Sequence, residues 1–248
     1  MKLENIIPPT SEQMARASGV SKKAAENWEI YCRACKNRFN LVKSILELEF
    51  NFKLSGKQVL DWGSAAGGVS ILMDDVLHAS ITAADVDEHS LKWLKKTCDS
   101  IHCVTLIPGK ALPFADHSFD AIIGISVLTH IPSNLQEFYL SELHRITKKD
   151  GVAIITILSE SACEFNRRND RNPNMHPHDE KQISRLGIIF STYPETTLNS
   201  MDFSKNMAYG ITYHSRRYVN EIFGKYFHIG SIEECGLPPQ DVLVLRPK

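Results

Sequence analysis

Short apolar runs alternate with amphipathic stretches through the middle of the chain. Five of the runs have the length and composition of strands buried in a sheet, at 59–61, 81–84, 103–107, 120–126 and 152–158. Apolar residues recur at helical spacing between them, over 69–77, 88–98 and 135–146. Strands and helices that alternate in this way predict a parallel, doubly wound sheet.

The pattern divides the chain into four parts. Residues 1–57 have the amphipathic spacing of helices and predict a helical cap, and 58–158 form the core. Residues 159–212 are polar and irregular, which is typical of a lid that binds an acceptor or of a disordered insertion. Residues 213–248 return to the core pattern, with a helix and two closing strands at 227–232 and 242–245. Asp87 and Ser215 stand where helix N-caps are expected.

Composition and charge exclude several classes of protein. Lys plus Arg is 28 and Asp plus Glu is 29, which gives a net charge of −1 and argues against a nucleic-acid partner bound through a basic face. No apolar run has the roughly 20 residues that cross a bilayer, and the first residues do not resemble a signal peptide. Cys32 and Cys35 form a C-x-x-C pair without a second pair, so no metal site is expected. These features predict a cytoplasmic protein, monomeric or homodimeric, without a membrane partner.

The turn after the first predicted strand is the most informative segment. The strand ends at Asp61, and the loop that follows (62–68, WGSAAGG) consists largely of small residues. Gly63 and Gly67 allow a tight turn and let a ligand approach the backbone. The second strand ends at Asp85, whose two carboxylate oxygens can accept both hydroxyl groups of a ribose. A strand, a small-residue turn, a helix and an acid at the next strand tip predict a nucleotide site.

Three motifs resemble those of the class I S-adenosylmethionine-dependent methyltransferases, within them the small-molecule branch that includes ubiquinone-biosynthesis enzymes. Residues 59–67 (VLDWGSAAG) are similar to the D-x-G-x-G-x-G loop of the family, with Ala65 at the middle glycine. Asp85 stands at the position where the family has its ribose-binding acid. Residues 112–120 (LPFADHSFD) resemble the L-P-F-x-D-x-S-F-D run before the fourth strand, and 126–132 (SVLTHIP) continue it.

The resemblance implies a seven-stranded, mostly parallel Rossmann-like sheet with an N-terminal helical segment and an inserted lid, and S-adenosylmethionine as the cofactor. Pro108 stands where relatives often carry an acid that contacts the adenine, so backbone groups around 109–111 are expected to hold the base. The residues expected to bind the cofactor are Asp61, Gly63, Ser64, Ala65, Gly67, Asp85, Val86, Gly109, Lys110, Ala111 and Ser126.

Methyl transfer to oxygen also needs a base. His130 follows the fourth predicted strand, at the carboxyl edge where doubly wound sheets bind ligands. Its ordinary pKa, about 6.5, suits a base at neutral pH. His214 precedes a predicted helix near the same edge and is a second candidate, and Tyr209 and Tyr213 can line an acceptor pocket. The sequence leaves three possibilities open for His130: it is a base, it lines the site without taking a proton, or it does neither. For His214 and the two tyrosines the alternative is packing under the lid.

The sequence therefore predicts a methyltransferase that acts on a small molecule, a sugar or a modified peptide, at oxygen. A nicotinamide-dependent oxidoreductase is the alternative enzyme, but the loop at 63–68 lacks the second glycine that admits a pyrophosphate. A non-catalytic scaffold that keeps the fold is a third reading, to which Ala65 and Pro108 lend support.

Overall fold

The computed structural model describes residues 3, 6–11, 28–51, 53–169, 178–195 and 209–248. Its helices are α1 (Trp28–Glu49), α2 (Gly68–Leu77), α3 (Glu88–Thr97), α4 (Ser133–Ile146), α5 (Glu160–Arg168), α6 (Glu180–Leu186), α7 (Arg216–Tyr218) and α8 (Gly224–Tyr226), and Val219–Phe223 is a π-helical turn. The strands are β1 (Gln58–Trp62), β2 (Ser80–Asp85), β3 (His102–Thr105), β4 (Phe119–Gly124), β5 (Thr147–Ile157), β6 (Ile188–Thr192), β7 (Gly210–His214), β8 (Phe227–Leu237) and β9 (Gln240–Pro247).

Seven strands form one sheet in the order β3-β2-β1-β4-β5-β9-β8. β1 is parallel to β2 and to β4, and β2 is parallel to β3. β9 runs antiparallel to both β5 and β8. This arrangement confirms the seven-stranded, mostly parallel sheet with flanking helices, while β6 and β7 pair antiparallel in a sheet of their own.

Burial explains why these segments became strands and helices. Every residue of β4 is buried, as the continuous apolar run predicted. α1 buries one stripe at helical spacing, formed by Cys32, Cys35, Phe39, Val42 and Leu46. Its two cysteines are therefore core thiols. In the described part of the chain, no group of three or more His, Cys, Asp or Glu side chains could hold a metal ion.

The caps predicted from the sequence are confirmed. The Asp87 side chain accepts a hydrogen bond from the backbone N–H of His89 at the start of α3. The Ser215 hydroxyl accepts one from the backbone N–H of Tyr218, 3.0 Å away, where α7 begins. Each bond satisfies one of the N–H groups that a helix start leaves unpaired.

The expectation of an irregular stretch over 159–212 is wrong for its described residues. α5, α6, β6 and β7 occupy much of it, and 170–177 and 196–208 lie outside the described residues. α6 begins with a capping box in which Asp179 and Gln182 satisfy each other's backbone N–H groups. β6 is ordered by pairing with β7, a partner distant in sequence. The division of the chain into a cap, a core and a lid stays a prediction.

The chain separates into two compact units. The described residues of the first lie within Met1–Pro113, Phe119–Ile123 and Glu195–Met207. Those of the second lie within Phe114–Ser118, Gly124–Pro194 and Ala208–Lys248. Over the described ranges, no helix combines the length and the apolar character that crossing a membrane requires.

A buried acid joins two strands of the first unit. Asp120 on β4 accepts a hydrogen bond from the backbone N–H of Gln58 at 2.9 Å and binds Lys57 Nζ at 3.0 Å. We expect Asp120→Ala to lower the free energy of unfolding by about 1–3 kcal/mol, because it leaves that N–H without its acceptor. Asp120→Asn, which keeps an acceptor oxygen, should cost less. Chemical denaturation of the three proteins measures both effects, and equal losses would contradict the assignment.

Gly67, the N-cap of α2, occupies a site that excludes a side chain. Its φ is 72°, and a Cβ would lie 2.4 Å from Cδ2 of Leu94, which is fully buried. Gly67→Ala is expected to destabilise the protein by about 2–4 kcal/mol, through both backbone strain and overpacking. Gly56→Ala is the matched control, since Gly56 has a φ of +75° but no heavy atom within 4 Å of an added Cβ. Thermal unfolding should show the smaller loss for Gly56→Ala; equal losses would exclude the steric contribution.

Candidate active site

The loop between β1 and α2 is held against the end of β2. The backbone N–H groups of Gly63 and Ser64 both donate to the carbonyl of Ala84, at 2.8 and 3.2 Å. Gly67 N–H closes the turn on the carbonyl of Ser64 at 2.8 Å. Ala65, at the place of the middle glycine, adopts a φ of 51°, so it reproduces the left-handed backbone that a glycine would give.

Asp85 ties this loop to the tip of β2. One carboxylate oxygen accepts from the backbone N–H of Ala65 at 2.7 Å, and the other from that of Asp87 at 2.8 Å. Withdrawal from solvent raises the pKa of Asp85, while these two N–H groups oppose the rise. Since a carboxylate oxygen accepts more than one hydrogen bond, each oxygen can also receive a hydroxyl group of a ligand.

Asp61 lies at the carboxyl end of β1 and is 4% exposed. Its Oδ2 accepts from the hydroxyl of Ser70, 2.5 Å away in the first turn of α2, a partner that the sequence reading missed. Burial raises the pKa of Asp61 to about 6, so the carboxylate is ionised at neutral pH but costly to keep buried. A cationic ligand group beside it would offset that cost.

The first unit carries further features that fit an adenosyl ligand. The Ser64 hydroxyl is buried and has no hydrogen-bond partner among the described residues. The turn after β3 begins at Leu106, whose N–H donates to the backbone carbonyl of Asp85 at 2.8 Å. Val86 and Ile107, at the ends of these two strands, are 42% and 67% exposed and offer an apolar surface to a purine. Ile107 was not identified from the sequence, because only the structure shows that its side chain is exposed.

The turn expected to hold the adenine also belongs to this unit. Gly109 has a φ of +71° and nothing within 4 Å of an added Cβ, and the N–H of Lys110 donates to the carbonyl of Ile107. Lys110 and Ala111 are exposed. The turn is therefore exposed to solvent at the place where Pro108 replaces the expected acid.

The second unit contains an aromatic cluster around His130. The imidazole stacks on the ring of Tyr209, with centroids 4.7 Å apart, and lies 6.2 Å from the ring of Tyr193. Its Nδ1 is 2.7 Å from the backbone carbonyl of Gly210. Since a carbonyl only accepts, Nδ1 carries the proton and Nε2 keeps its lone pair. Burial lowers the pKa of His130, which favours the neutral ring.

His214 occupies a different environment. It is 0% exposed, and its Nε2 lies 3.1 Å from Oε1 of Gln136. Burial lowers its pKa to about 3, so the ring is neutral at physiological pH. Tyr213 is also fully buried. A side chain enclosed in this way is unsuited to exchanging protons with an acceptor. No local pattern in the sequence indicated that His214 is buried.

Ser126, the last of the predicted cofactor residues, lies in the turn after β4 with a φ of 60°. Its backbone N–H donates to the hydroxyl of Thr156 at 2.7 Å. Nε2 of Gln240 donates to the Ser126 hydroxyl at 2.7 Å. The predicted residues thus form two groups: Asp61 to Gly67 with Asp85, Val86 and the 109–111 turn in the first unit, and Ser126, His130 and His214 in the second.

Comparisons with known proteins identify the same core. A family profile described as "Methyltransferase domain" matches residues 60–155. The ubiquinone/menaquinone biosynthesis C-methyltransferase UbiE of Geotalea uraniireducens is 30% identical over 108 residues, which cover 40% of this chain and 45% of that protein. The demethylmenaquinone methyltransferase of Tropheryma whipplei is 24% identical over 187 residues, covering 73% of this chain and 66% of its own. The chain thus spans less than two thirds of the length of either relative.

Solved structures share the fold. The 1,6-didemethyltoxoflavin-N1-methyltransferase of Burkholderia thailandensis, bound to 1,6-didemethyltoxoflavin and S-adenosylhomocysteine, aligns with a TM-score of 0.57 at 12% identity. The alignment covers 85% of this chain and 78% of that one. Together with the family profile and the ordered loop around Asp85, these matches confirm the resemblance. Residues 60–155 are thus similar to a methyltransferase domain, in a chain whose fold is that of solved methyltransferases.

Proposed function

We propose that this protein transfers a methyl group from S-adenosylmethionine to a hydroxyl oxygen of a small molecule. The observation that carries the proposal is the carboxylate of Asp85, held by the N–H of Ala65 at 2.7 Å. This contact gives the loop and the acid the arrangement that a ribose needs, with acceptor capacity left on both oxygens.

Each part of the cofactor has a proposed partner in the first unit. Asp85 accepts the ribose hydroxyls, and Val86 and Ile107 contact the adenine. Asp61 pairs with the ammonium group, which offsets the cost of its buried charge. The Ser64 hydroxyl, which has no partner in the described residues, donates to the carboxylate of the amino-acid end. When bound, S-adenosylmethionine supplies a methyl group activated by a positively charged sulfur.

His130 is the proposed general base. Its Nδ1 donates to the Gly210 carbonyl, so Nε2 is the nitrogen that accepts a proton. With the cofactor bound, Nε2 of His130 would accept the proton that the acceptor hydroxyl loses when the methyl group leaves sulfur for oxygen. The neutral ring that burial favours is the form that does this. Tyr209 and Tyr193, whose rings surround the imidazole, are proposed to contact the acceptor.

Carbon is the second candidate nucleophile, because the Geotalea relative is named a C-methyltransferase. Removal of a phenolic proton by His130 would activate a ring carbon as well as the oxygen. The methyltransferase domain match supports methyl transfer over the nicotinamide-dependent alternative. A cytoplasmic location, a monomeric or homodimeric state and a lid that binds the acceptor stay predictions from the sequence.

Calorimetry with S-adenosylhomocysteine tests the cofactor site. The native protein should bind it, and Asp85→Ala should weaken binding by about 1.5–3 kcal/mol, because it removes charged hydrogen-bond acceptors. Asp87→Asn is the control, since it changes the same charge nearby and keeps the α3 cap. Unchanged affinity in Asp85→Ala would place the ribose elsewhere, and no binding to the folded native protein would favour the scaffold reading.

The pH dependence of turnover tests His130. A buried histidine with a lowered pKa is protonated, and inactive as a base, only below that pKa, so kcat should rise with pH below 6.5 and then level off. His130→Asn should reduce kcat by about 10²–10⁴ and remove this acidic limb. The measurement follows S-adenosylhomocysteine released with a panel of hydroxylated aromatic acceptors. A variant that keeps the native rate and profile would show that His130 only lines the site.

A further inference from the structure

We infer that Gln136, Thr212 and His214 form a framework that positions His130 and sets which of its ring nitrogens carries the proton. The framework consists of side chains from α4 and β7 that hold the loop 128–131. It rests on the proposed function of His130 as a base, and it assigns His214 a positioning role in place of proton transfer.

Three carbonyl groups of the loop accept hydrogen bonds from Gln136 and Thr212. Nε2 of Gln136 donates to the carbonyls of Leu128 and Ile131, at 2.8 and 2.7 Å. The backbone N–H of Thr212 donates to the carbonyl of Thr129 at 2.8 Å, and its hydroxyl donates to that of Ile131 at 2.7 Å. The carbonyls on both sides of His130 are therefore fixed, which leaves its backbone little freedom.

β7 makes these contacts with alternate residues. Gly210, Thr212 and His214 are spaced two apart, so their backbone N–H and C=O groups point to the same edge of the strand. Gly210 contributes the carbonyl that binds Nδ1 of His130. Its own position is fixed by close packing on β6, since an added Cβ would lie 2.1 Å from the carbonyl oxygen of Ser191. One edge of β7 thus contacts both the backbone next to His130 and its ring.

The hydrogen bonds of Gln136 also determine the state of His214. Both N–H donors of the amide are used by carbonyls, so Oε1 is an acceptor and Nε2 of His214 must carry the proton. Both side chains are 0% exposed. The pKa of His214, lowered to about 3, keeps it in this neutral form over the working range. His214 in turn holds the amide in the orientation that donates to the loop.

The framework gives the ring of His130 a defined tautomer. If the loop shifted, the bond from Nδ1 to the Gly210 carbonyl would lengthen, and the proton could move to Nε2. A ring protonated on Nε2 cannot accept a proton there. The framework therefore acts through His130, and its loss should reduce catalysis while leaving cofactor binding in the other unit intact.

Ring ¹⁵N chemical shifts of labelled protein, bound to S-adenosylhomocysteine, test the inference. The His130 signals are assigned by their absence in His130→Asn. Native protein should show one tautomer with the proton on Nδ1. Gln136→Met removes both amide donors at similar volume, and Thr212→Val removes only the hydroxyl bond. Each should raise the fraction of the Nε2–H form several-fold. Ser141→Ala is the control, because it removes a bond to the Phe138 carbonyl within α4 itself.

Native His130 shifts in both folded variants would overturn the inference, since the Gly210 carbonyl alone would then set the tautomer. Should Gln136→Met fail to fold, Thr212→Val decides the question. With any acceptor that turns over, kcat should fall by about 10- to 100-fold at nearly constant KM, as expected when a catalytic group is misplaced.

The outcome is separable from that of the proposed function. The tautomer is read without turnover, so it reports on the framework even if no acceptor is found. A changed tautomer with unchanged kcat would refute the role of His130 as a base and leave the framework intact. An unchanged tautomer with a normal rate would refute the framework alone.

Discussion

The candidate cofactor site in the first unit is organised around the hydrogen bond from the backbone N–H of Ala65 to the carboxylate of Asp85, at 2.7 Å. It fixes the loop after β1 to the tip of β2. It also gives a hydrogen-bond acceptor to the N–H of Ala65, whose backbone is left-handed. The loop needs this contact because its amides cannot join a helix or a sheet ladder. The same carboxylate remains able to accept ligand hydroxyls, so one side chain both orders the loop and is available to a ligand.

The second unit solves a comparable problem with side chains. The loop 128–131 follows β4 and lies outside the strands, yet the carbonyls of Leu128, Thr129 and Ile131 accept hydrogen bonds from Gln136 and Thr212. Placing His130 in a loop allows it to reach a ligand, and the amide and hydroxyl donors supply the rigidity that the loop lacks. Both units thus hold a side chain of the proposed site, Asp85 or His130, by satisfying the backbone around it.

The sequence predicted the parts of the fold that local patterns determine. The strand at 120–126, the N-caps Asp87 and Ser215 and the loop of small residues were all recoverable, because apolar runs and capping residues act over a few positions. The strand β6 was not predicted, because it depends on pairing with β7, which is distant in sequence. The burial of His214 was not predicted for the same reason, since it involves a tertiary contact with Gln136. Ser70 beside Asp61 and the exposed Ile107 were likewise visible only in three dimensions.

Position 210 carries a consequence for the divergence of this protein. A methyl group there would collide with the carbonyl oxygen of Ser191, whose place is set by strand pairing and cannot be vacated by a rotamer change. Descendants that keep these two strands paired are thus confined to glycine at that point, whatever acceptor they come to use. The side chains of Tyr193 and Tyr209 beside the imidazole are free of this backbone constraint, whereas the carbonyl of Gly210 that binds its Nδ1 is not.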